Sequence, residues 1–401
     1  MFKNLLVIST EYPPKLGPGA CRNFFLCKDF TDNGWNVDVL TVKENSLSSV
    51  DYSFNYFNSN AKVHRTAARD STKIFSILGK YPKFVEIPDR WLSWLFTAIP
   101  KGLRLIKKSR PDIIYVSYPN YTSLLVAICL HKLTKIKLVL ELRDPFRYRY
   151  DGQNVPYHYL YRWIEKKAIQ SASYVITTTE ECLMLYKQCF PELHNKKTAC
   201  FKNGFIIDAH TLARSQLPKT RNKKFTLLHS GSLYVIGRNP LPLLEAIQLL
   251  KSDGTITNQS FELIFRGCSP WSTLTQTINQ MGLESLITFK ESIDYIESIG
   301  EIYQCDLAII IQEEIFNNQI PSKLYDIIKT KKPILALSPS SSALSKELIK
   351  FDRQEGVQSP QEIALLITTQ MLNEPKMKDQ NLTHSDRSII NMNLANFLRD
   401  L

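Results

Sequence analysis

The sequence lacks several features that would assign a protein to a class at once. No apolar run approaches the roughly 20 residues that a membrane-spanning helix needs. The eight cysteines form no Cys-x-x-Cys pair and the seven histidines are dispersed, which argues against a disulfide framework and a metal site. The N-terminal apolar run has no small-residue cleavage site and is better explained as a β-strand than as a signal peptide. We therefore expect a cytoplasmic protein with reduced cysteines and no bound metal.

The composition is that of a globular protein with an excess of positive charge. The 401 residues are 44% hydrophobic and 22% charged, and the formal net charge is +12. This length is typical of two or three domains. The charge favours anionic partners, namely nucleic acid, acidic lipid or nucleotide diphosphates. Because the sequence has no helix-turn-helix, zinc-finger or RNA-binding pattern, nucleic acid is the least favoured of the three.

Apolar runs alternate with helical patterns along the chain, which predicts βαβ units and parallel sheets. Two segments interrupt the alternation: we interpret Val50–Asp70 as a surface loop and Asp208–Lys224 as a linker. The predicted domains are 1–207, 208–380 and a C-terminal helix in 381–401. The predicted strands are Leu5–Ile8, Val37–Val42, Ile113–Val116, Leu138–Leu142, Tyr174–Thr177, Thr226–His229, Leu263–Phe265, Leu307–Ile311 and Pro333–Leu337.

Three strand ends in the second half carry cations. Lys323 falls in the first turn of a predicted helix that follows the strand Leu307–Ile311, and Asp326 lies about one turn later. Arg238 precedes another helix, and Arg266 ends a strand. Phosphates bind at helix N-termini on the carboxyl side of parallel strands. Such residues suit a diphosphate, although Arg266 is also typical of a solvated turn.

Two strand ends in the first half have other candidates. Gly17 and Gly19 lie in a Pro- and Gly-rich loop after the first strand, where backbone amides can meet a phosphate or hydroxyl. An ordinary turn is the alternative. Arg143 and Asp144 end the strand Leu138–Leu142 and suit substrate hydroxyls or phosphates. A salt bridge or a helix cap explains that pair equally well.

These segments together resemble the retaining GT-B glycosyltransferases of glycosyltransferase family 4. The resemblance rests on Tyr12-Pro-Pro14 with its glycine loop, Arg143-Asp-Pro145, Asn203-Gly204 and Pro-Ser-Lys-Leu-Tyr at 321–325. It implies an α/β GT-B fold, with two Rossmann-like doubly wound domains facing across a cleft. The implied reaction moves a sugar, with retention, from a nucleotide diphosphate sugar to a glycan or lipid-linked acceptor in surface polysaccharide synthesis.

The resemblance also implies roles for single residues. Gly17 and Gly19 would lie against the donor diphosphate, and Arg143 and Asp144 near the sugars. Asp326 would hold the ribose. Charge on the departing diphosphate would be met by Arg238, Arg266 and Lys323, without metal or other cofactor, and the donor would carry UDP rather than GDP.

The sequence departs from the family pattern at three places, one of which is Val116-Ser-Tyr-Pro119, where many members have a histidine. Ser232 stands where the family usually has an arginine, and Asn318 stands where it has its first acidic residue, with Glu313 and Glu314 nearby as substitutes. A non-catalytic GT-B subunit that binds nucleotide sugar or a partner enzyme is therefore the alternative. A nucleotide-dependent oxidoreductase is disfavoured because no clean Gly-x-Gly-x-x-Gly is present.

One segment of the first half combines aromatic and basic residues. Trp91, Trp94 and Phe96 precede five cations at 101–110, a composition that suits the anionic inner face of the plasma membrane. The alternative is a helix that buries its tryptophans and leaves its cations solvated. We expect peripheral membrane contact without a membrane span.

Overall fold

The computed structural model describes residues 3–76, 80–145, 158–217, 224–372 and 382–399. The chain forms two compact units. The first contains residues 1–202 and 387–401, and the second contains 203–386. The sequence placed this boundary after residue 207, and the units divide instead between Lys202 and Asn203. No described helix is long and apolar enough to span a bilayer.

The described strands of the first unit form one parallel sheet in the order β3-β2-β1-β4-β5-β6-β7. This order, which starts in the middle and winds outward both ways, is that of a Rossmann-like domain. The strands are β1 (Asn4–Ile8), β2 (Asn36–Val42), β3 (Lys62–Thr66), β4 (Ile113–Tyr118), β5 (Lys137–Leu142), β6 (Tyr174–Thr177) and β7 (Lys197–Cys200). The helices are α1 (Pro18–Asp32), α2 (Ser71–Ile74), α3 (Leu95–Ser109), α4 (Tyr121–Thr134), α5 (His158–Ser171), α6 (Glu180–Cys189) and the C-terminal α14 (Arg387–Arg399).

Burial on both faces explains why the central strands are continuously apolar. β4 and β6 are buried along their whole length, and β1 and β5 at all but their first residue. A parallel sheet covered by helices on both sides favours such runs over alternating ones. Helix α14 belongs to this unit because it packs on α1, where Asn391 Nδ2 donates to Asp29 Oδ2 at 2.7 Å.

The described strands of the second unit form a parallel sheet in the order β10-β9-β8-β11-β12. Its strands are β8 (Phe225–Ser230), β9 (Phe261–Arg266), β10 (Ile287–Lys290), β11 (Leu307–Ile311) and β12 (Ile334–Leu337). Its helices are α7 (Ile207–Ser215), α8 (Leu241–Ser252), α9 (Ser272–Gln280), α10 (Tyr295–Gln304), α11 (Lys323–Thr330), α12 (Ala343–Lys350) and α13 (Pro360–Leu372). The fold is therefore α/β with two doubly wound sheets, as the sequence predicted.

Two segments differ from their sequence interpretation. β3 lies within Val50–Asp70, which we interpreted as a surface loop, and it pairs with β2 at the sheet edge. Its residues are exposed or half-buried, so an edge strand of this kind has no apolar run to mark it. Helix α7 occupies the start of the predicted linker. It buries Ala209, His210 and Ala213, and this stripe is too narrow to stand out in the sequence.

Candidate functional site

The glycine loop of the first unit encloses an ion pair at the carboxyl ends of β1 and β5. Arg143 pairs with Glu11 through Nη2 and donates from Nε to the Tyr118 carbonyl oxygen at 2.9 Å. Lys15 Nζ lies 3.1 Å from Glu11 Oε1. Burial would raise the pKa of Glu11, but the charges of Arg143 and Lys15 outweigh it and lower that pKa to about 2. Glu11 is therefore a permanent carboxylate that the sequence analysis missed.

The two glycines of this loop serve different purposes. Gly17 precedes α1 with a φ of 131°, a conformation that favours glycine. A side chain at Gly19 would overlap the Glu11 carboxylate and the Arg143 guanidinium. Gly19 is thus required for the ion pair to pack under the loop. Gly17 lies in the loop where the sequence places it, whereas Gly19, placed in the same loop, is the second residue of α1.

Asp144 lies beside this ion pair. Its carbonyl oxygen accepts a hydrogen bond from the Tyr186 hydroxyl at 3.0 Å. Burial lowers the pKa of the Arg143 guanidinium, but the charges of Glu11 and then Asp144 outweigh burial and raise that pKa. Arg143 and Asp144 therefore form a charged group with Glu11, and the salt-bridge alternative from the sequence holds for Arg143.

In the second unit, the carboxyl end of β8 holds a half-buried lysine. Lys323 Nζ donates to the Ser230 carbonyl oxygen at 2.9 Å and lies next to Gly231, whose φ is 124°. Among the residues that the structure describes, no carboxylate pairs with Lys323. Burial, and then the charge of Arg238, lowers the pKa of Lys323 to about 7. An ammonium without a counter-ion in such a place is suited to an incoming anion.

Arg238 lies between two aromatic rings at the same strand end. Its guanidinium carbon is 5.1 Å from the centre of the Tyr234 ring and 5.2 Å from that of Phe316. Its Nη1 donates to the Ser232 carbonyl oxygen at 3.2 Å, while Ser232 itself is exposed. Cation–π contact of this kind fixes the guanidinium plane. The structure thus brings Ser232, Arg238 and Lys323 together at the carboxyl end of β8.

A completely buried histidine lies under this group. His229 is 0% exposed. Burial, followed by Lys323 and Arg238, lowers the pKa of His229 well below its usual value. The ring is therefore neutral and does not add a third cation.

Asn318 stands at the position of the family's first acidic residue, and the nearby Glu313 is bound to the loop after β8. Glu313 Oε2 accepts the backbone N–H of Gly237 at 2.5 Å, and Glu313 N donates to the Gly237 carbonyl oxygen at 2.9 Å. Glu313 thus fastens the loop after β8 to the end of β11. Asn318 is half-buried in the loop before α11, and Glu314 is exposed.

Arg266 is engaged in a different way from that predicted. Its guanidinium forms a bidentate salt bridge with Glu301, in which Nε lies 2.8 Å from Oε2 and Nη2 contacts Oε1. Its Nη1 donates to the Glu291 carbonyl oxygen at 2.8 Å. These bonds hold the end of β9 to α10. Arg266 is therefore not a solvated turn residue. Unlike Lys323, it is paired with a carboxylate.

Asp326 is buried among three helices of the second unit. It is 7% exposed. Its Oδ1 accepts from the Tyr295 hydroxyl at 3.0 Å and lies 3.1 Å from His210 Nε2. The sequence analysis did not single out His210. The Asp326 carboxylate is held by α7 and α10 while it lies on the same helix as Lys323.

Comparison with known proteins gives a family match for the first unit. Residues 24–208, a little under half of the chain, match the family model described as Glycosyltransferase Family 4. No curated protein sequence matches the chain.

Solved structures match the whole chain. The Anabaena protein HepE in complex with UDP-glucose is 16% identical, with a TM-score of 0.65 and complete coverage of both chains. Sucrose-phosphate synthase of Thermosynechococcus elongatus is 15% identical, with a TM-score of 0.64 over 99% of this chain and 98% of that chain. A UDP-N-acetylglucosamine 2-epimerase is 12% identical, with a TM-score of 0.60 over 99% and 95%.

These likenesses agree on the fold. At such low identities the solved structures show the fold, which is GT-B. The family match adds the sequence pattern of a glycosyltransferase in the first unit. The resemblance to GT-B glycosyltransferases that the motifs predicted is thereby confirmed.

Proposed function

We propose that the protein is a retaining glycosyltransferase that moves a sugar from a UDP-sugar to a glycan or lipid-linked acceptor, in surface polysaccharide synthesis. The observation that carries this proposal is the half-buried Lys323 ammonium beside Arg238, with no carboxylate paired to it among the described residues. A nucleoside diphosphate supplies the negative charge that such a group lacks. The structures of HepE with UDP and UDP-glucose support UDP as the nucleotide.

The reaction needs charge stabilisation more than acid or base chemistry from the second unit. When the bond between the sugar and the diphosphate breaks, the bonding electrons pass to the leaving phosphate oxygen. Arg238 and Lys323 are proposed to stabilise that charge, since fixed donors act most strongly where charge develops. The new bond forms from an acceptor hydroxyl on the same face of the sugar, and the proton of that hydroxyl passes to the leaving phosphate oxygen. No protein nucleophile, metal or further cofactor is assigned.

The charged group of the first unit is proposed to position the sugars. Glu11 stays ionised because its pKa is about 2, so it accepts hydrogen bonds and gives no proton. Arg143 is fixed by Glu11 and by the Tyr118 carbonyl oxygen. Groups held in this way orient a sugar hydroxyl at little entropic cost.

Titration calorimetry with UDP, GDP and uridine tests the donor part of the proposal. We expect one UDP site per chain and weaker GDP binding. A panel of UDP-sugars with glycan and lipid-linked acceptors should then yield product, and the anomeric coupling constant in its NMR spectrum reports retention or inversion. If UDP fails to bind at millimolar concentration, about −4 kcal/mol, the proposal is refuted.

A second candidate, a non-catalytic GT-B subunit, is favoured by the residue that replaces the family's first acidic residue. Asn318 carries no charge, and Glu313 uses its Oε2 to hold the Gly237 amide. UDP binding without sugar transfer to any acceptor would support this candidate. Turnover of the UDP-sugar in the absence of an acceptor would instead indicate an epimerase, an activity found on the same fold.

We also propose that the first unit binds the surface of an anionic membrane, through side chains other than the tryptophans. Trp91 and Trp94 are 7% and 0% exposed, and Trp94 Nε1 donates to Thr66 Oγ1 at 2.7 Å. They are core residues and cannot insert into lipid. Phe96 is 81% exposed, so one member of the predicted aromatic set is available.

A surface segment next to Phe96 provides the remaining contacts. The segment that we call the apolar patch consists of residues 71–76 and 80–96, and its exposed apolar side chains are Ile74, Phe75, Tyr81, Phe84, Leu92 and Phe96. The segment is tied together by bonds such as Ser71 N to the Arg90 carbonyl oxygen at 3.1 Å. Exposed cations on and beyond it are Lys73, Lys80, Lys83, Arg90, Arg104, Lys107, Lys108 and Arg110. Apolar groups bordered by cations suit an anionic leaflet.

A further inference from the structure

His210 lies in a buried hydrogen-bonded chain that ends on Asp326. The histidine is 2% exposed, and its Nε2 is 3.1 Å from Asp326 Oδ1. Its Nδ1 is 3.1 Å from the hydroxyl of Tyr303. Because the Asp326 carboxylate only accepts hydrogen bonds, the proton of a neutral His210 belongs on Nε2. Nδ1 then accepts from Tyr303, and the chain runs in one direction from Tyr303 through His210 to Asp326.

Aromatic rings hold the imidazole in this orientation. The Phe205 ring centre is 6.0 Å away at 89°, and the Tyr303 ring centre is 5.7 Å away at 83°. Both are edge-to-face contacts, which favour a single ring orientation. His210 therefore has little freedom to turn away from Asp326.

Among the residues that the structure describes, the network engages Oδ1 of Asp326 and gives Oδ2 no hydrogen-bond partner. Oδ1 accepts from both His210 and the Tyr295 hydroxyl, the latter at 3.0 Å. The Asp326 side chain keeps 9% of its surface exposed. A carboxylate has a second oxygen with its own lone pairs. Oδ2 is thus the oxygen of Asp326 that can accept a hydrogen bond from a ligand hydroxyl.

We propose that His210 is a positioning residue for nucleotide binding. It fixes the Asp326 carboxylate so that Oδ2 accepts a ribose hydroxyl of the UDP-sugar, while Lys323, three residues earlier on α11, meets the diphosphate. The inference rests on the proposed function, which supplies the UDP-sugar whose ribose Asp326 would hold. Positions three residues apart on a helix lie on one side of it, so one helix serves both parts of the nucleotide.

The test compares UDP with its 2′-deoxy and 3′-deoxy analogues by titration calorimetry. The wild type should bind UDP more tightly than at least one analogue. His210→Ala should weaken UDP binding about tenfold or more, as expected for loss of a hydrogen bond to a charged group. It should leave analogue binding nearly unchanged, so that the preference for UDP collapses. Thr211→Ala, on the exposed side of the same helix, should change neither.

Two further sets of variants separate positioning from a structural role. In an Asp326→Ala background, His210→Ala should have no additional effect on UDP affinity, because coupled residues do not add. His210→Gln places an amide donor near the position of Nε2 and should keep the UDP preference, whereas His210→Asn should lose it. This pair gives the answer even if His210→Ala does not fold.

The outcomes are distinct. Equal weakening of UDP and both analogues by His210→Ala, or further weakening in the Asp326→Ala background, would show that His210 only supports the fold. A wild type that binds UDP without preference over either analogue would overturn the inference and leave the proposed function intact. A wild type that does not bind UDP at all would overturn both.

Discussion

Lys323 donates its Nζ to the carbonyl oxygen of Ser230 at 2.9 Å, and this bond joins the first turn of α11 to the last residue of β8. The ammonium is half-buried beside Arg238, and no described carboxylate is paired with it. A partly buried cation is unfavourable without a counter-ion. The protonation of Lys323 should therefore depend on whether an anion is bound.

We expect UDP binding to take up protons at pH 8. Burial, and then Arg238, lowers the pKa of Lys323 to about 7, so the free protein holds this amine largely neutral at that pH. A bound diphosphate favours the charged form and raises the pKa. The terminal phosphate of UDP, with a second pKa of about 6, is already ionised. Calorimetry in buffers of different ionisation enthalpy measures the protons taken up.

The matched control for proton uptake is Lys323→Met. This variant should bind UDP more weakly and without dependence on the buffer. Uptake that persists in Lys323→Met would assign the proton to another group, such as His229. The same binding enthalpy in all buffers for the wild type would contradict the prediction.

Arg238→Ala should weaken UDP binding much more than uridine binding. Loss of a charge-assisted hydrogen bond costs about 1.5–3 kcal/mol. Uridine has no phosphate, so its binding does not include such a bond with Arg238. Val235→Ala, at an exposed position of the same loop, serves as the control and should change neither affinity. Equal losses for UDP and uridine would mean that Arg238 does not contact the phosphates.

Asp29→Asn should stabilise the first unit at neutral pH. Burial raises the pKa of Asp29 to about 6 from 3.8, although the hydrogen bond from Asn391 opposes the shift. A carboxyl whose pKa is raised in the folded state loses stability as the pH rises through 3.8 to 6. Asparagine can still accept from Asn391 and has no charge to bury. At pH 7 the gain should be on the order of 1–3 kcal/mol.

Thermal unfolding between pH 4 and pH 8, followed by tryptophan fluorescence, checks this prediction. The two proteins should melt alike near pH 4 and diverge as the pH rises. Asp32→Asn is the control, since Asp32 lies on the same helix with its side chain 47% exposed. A parallel pH profile for wild type and Asp29→Asn would show that the Asp29 charge is not buried.

Membrane binding should be sensitive to both salt and the apolar patch. Each surface cation contributes about 1 kcal/mol of attraction to an anionic leaflet at low salt. The wild type should pellet with anionic vesicles at low salt and much less at high salt. Phe84→Ser with Phe96→Ser should reduce binding, while Leu365→Ser, an exposed position of the second unit, should not. Absence of pelleting at low salt would refute the membrane proposal.

Much of the fold was predictable because the central strands of a parallel sheet are apolar on both faces. The predicted strands Tyr174–Thr177 and Leu307–Ile311 coincide with β6 and β11. The elements that were missed lie where burial is partial. β3 is a polar edge strand, and α7 buries only one narrow stripe.

The candidate site was predictable where position along the chain decides it. Lys323 and Arg238 follow from strand ends and helix starts, since parallel strands end at one edge of the sheet and bring their loops together. The partners of other residues were not predictable. Arg266 pairs with Glu301 on a helix 35 residues further along the chain, and local pattern contains nothing about that contact.

The sequence by itself determined the alternation of strands and helices, the resemblance to GT-B glycosyltransferases and the cations at the strand ends. These features depend on neighbouring residues and on periodicity. Only the tertiary structure decided that Trp94 belongs to the core, that Glu11 neutralises Arg143 and that His210 holds Asp326. The physical reason is that burial and pairing depend on residues far apart in the chain, which meet only when the helices pack on the sheets.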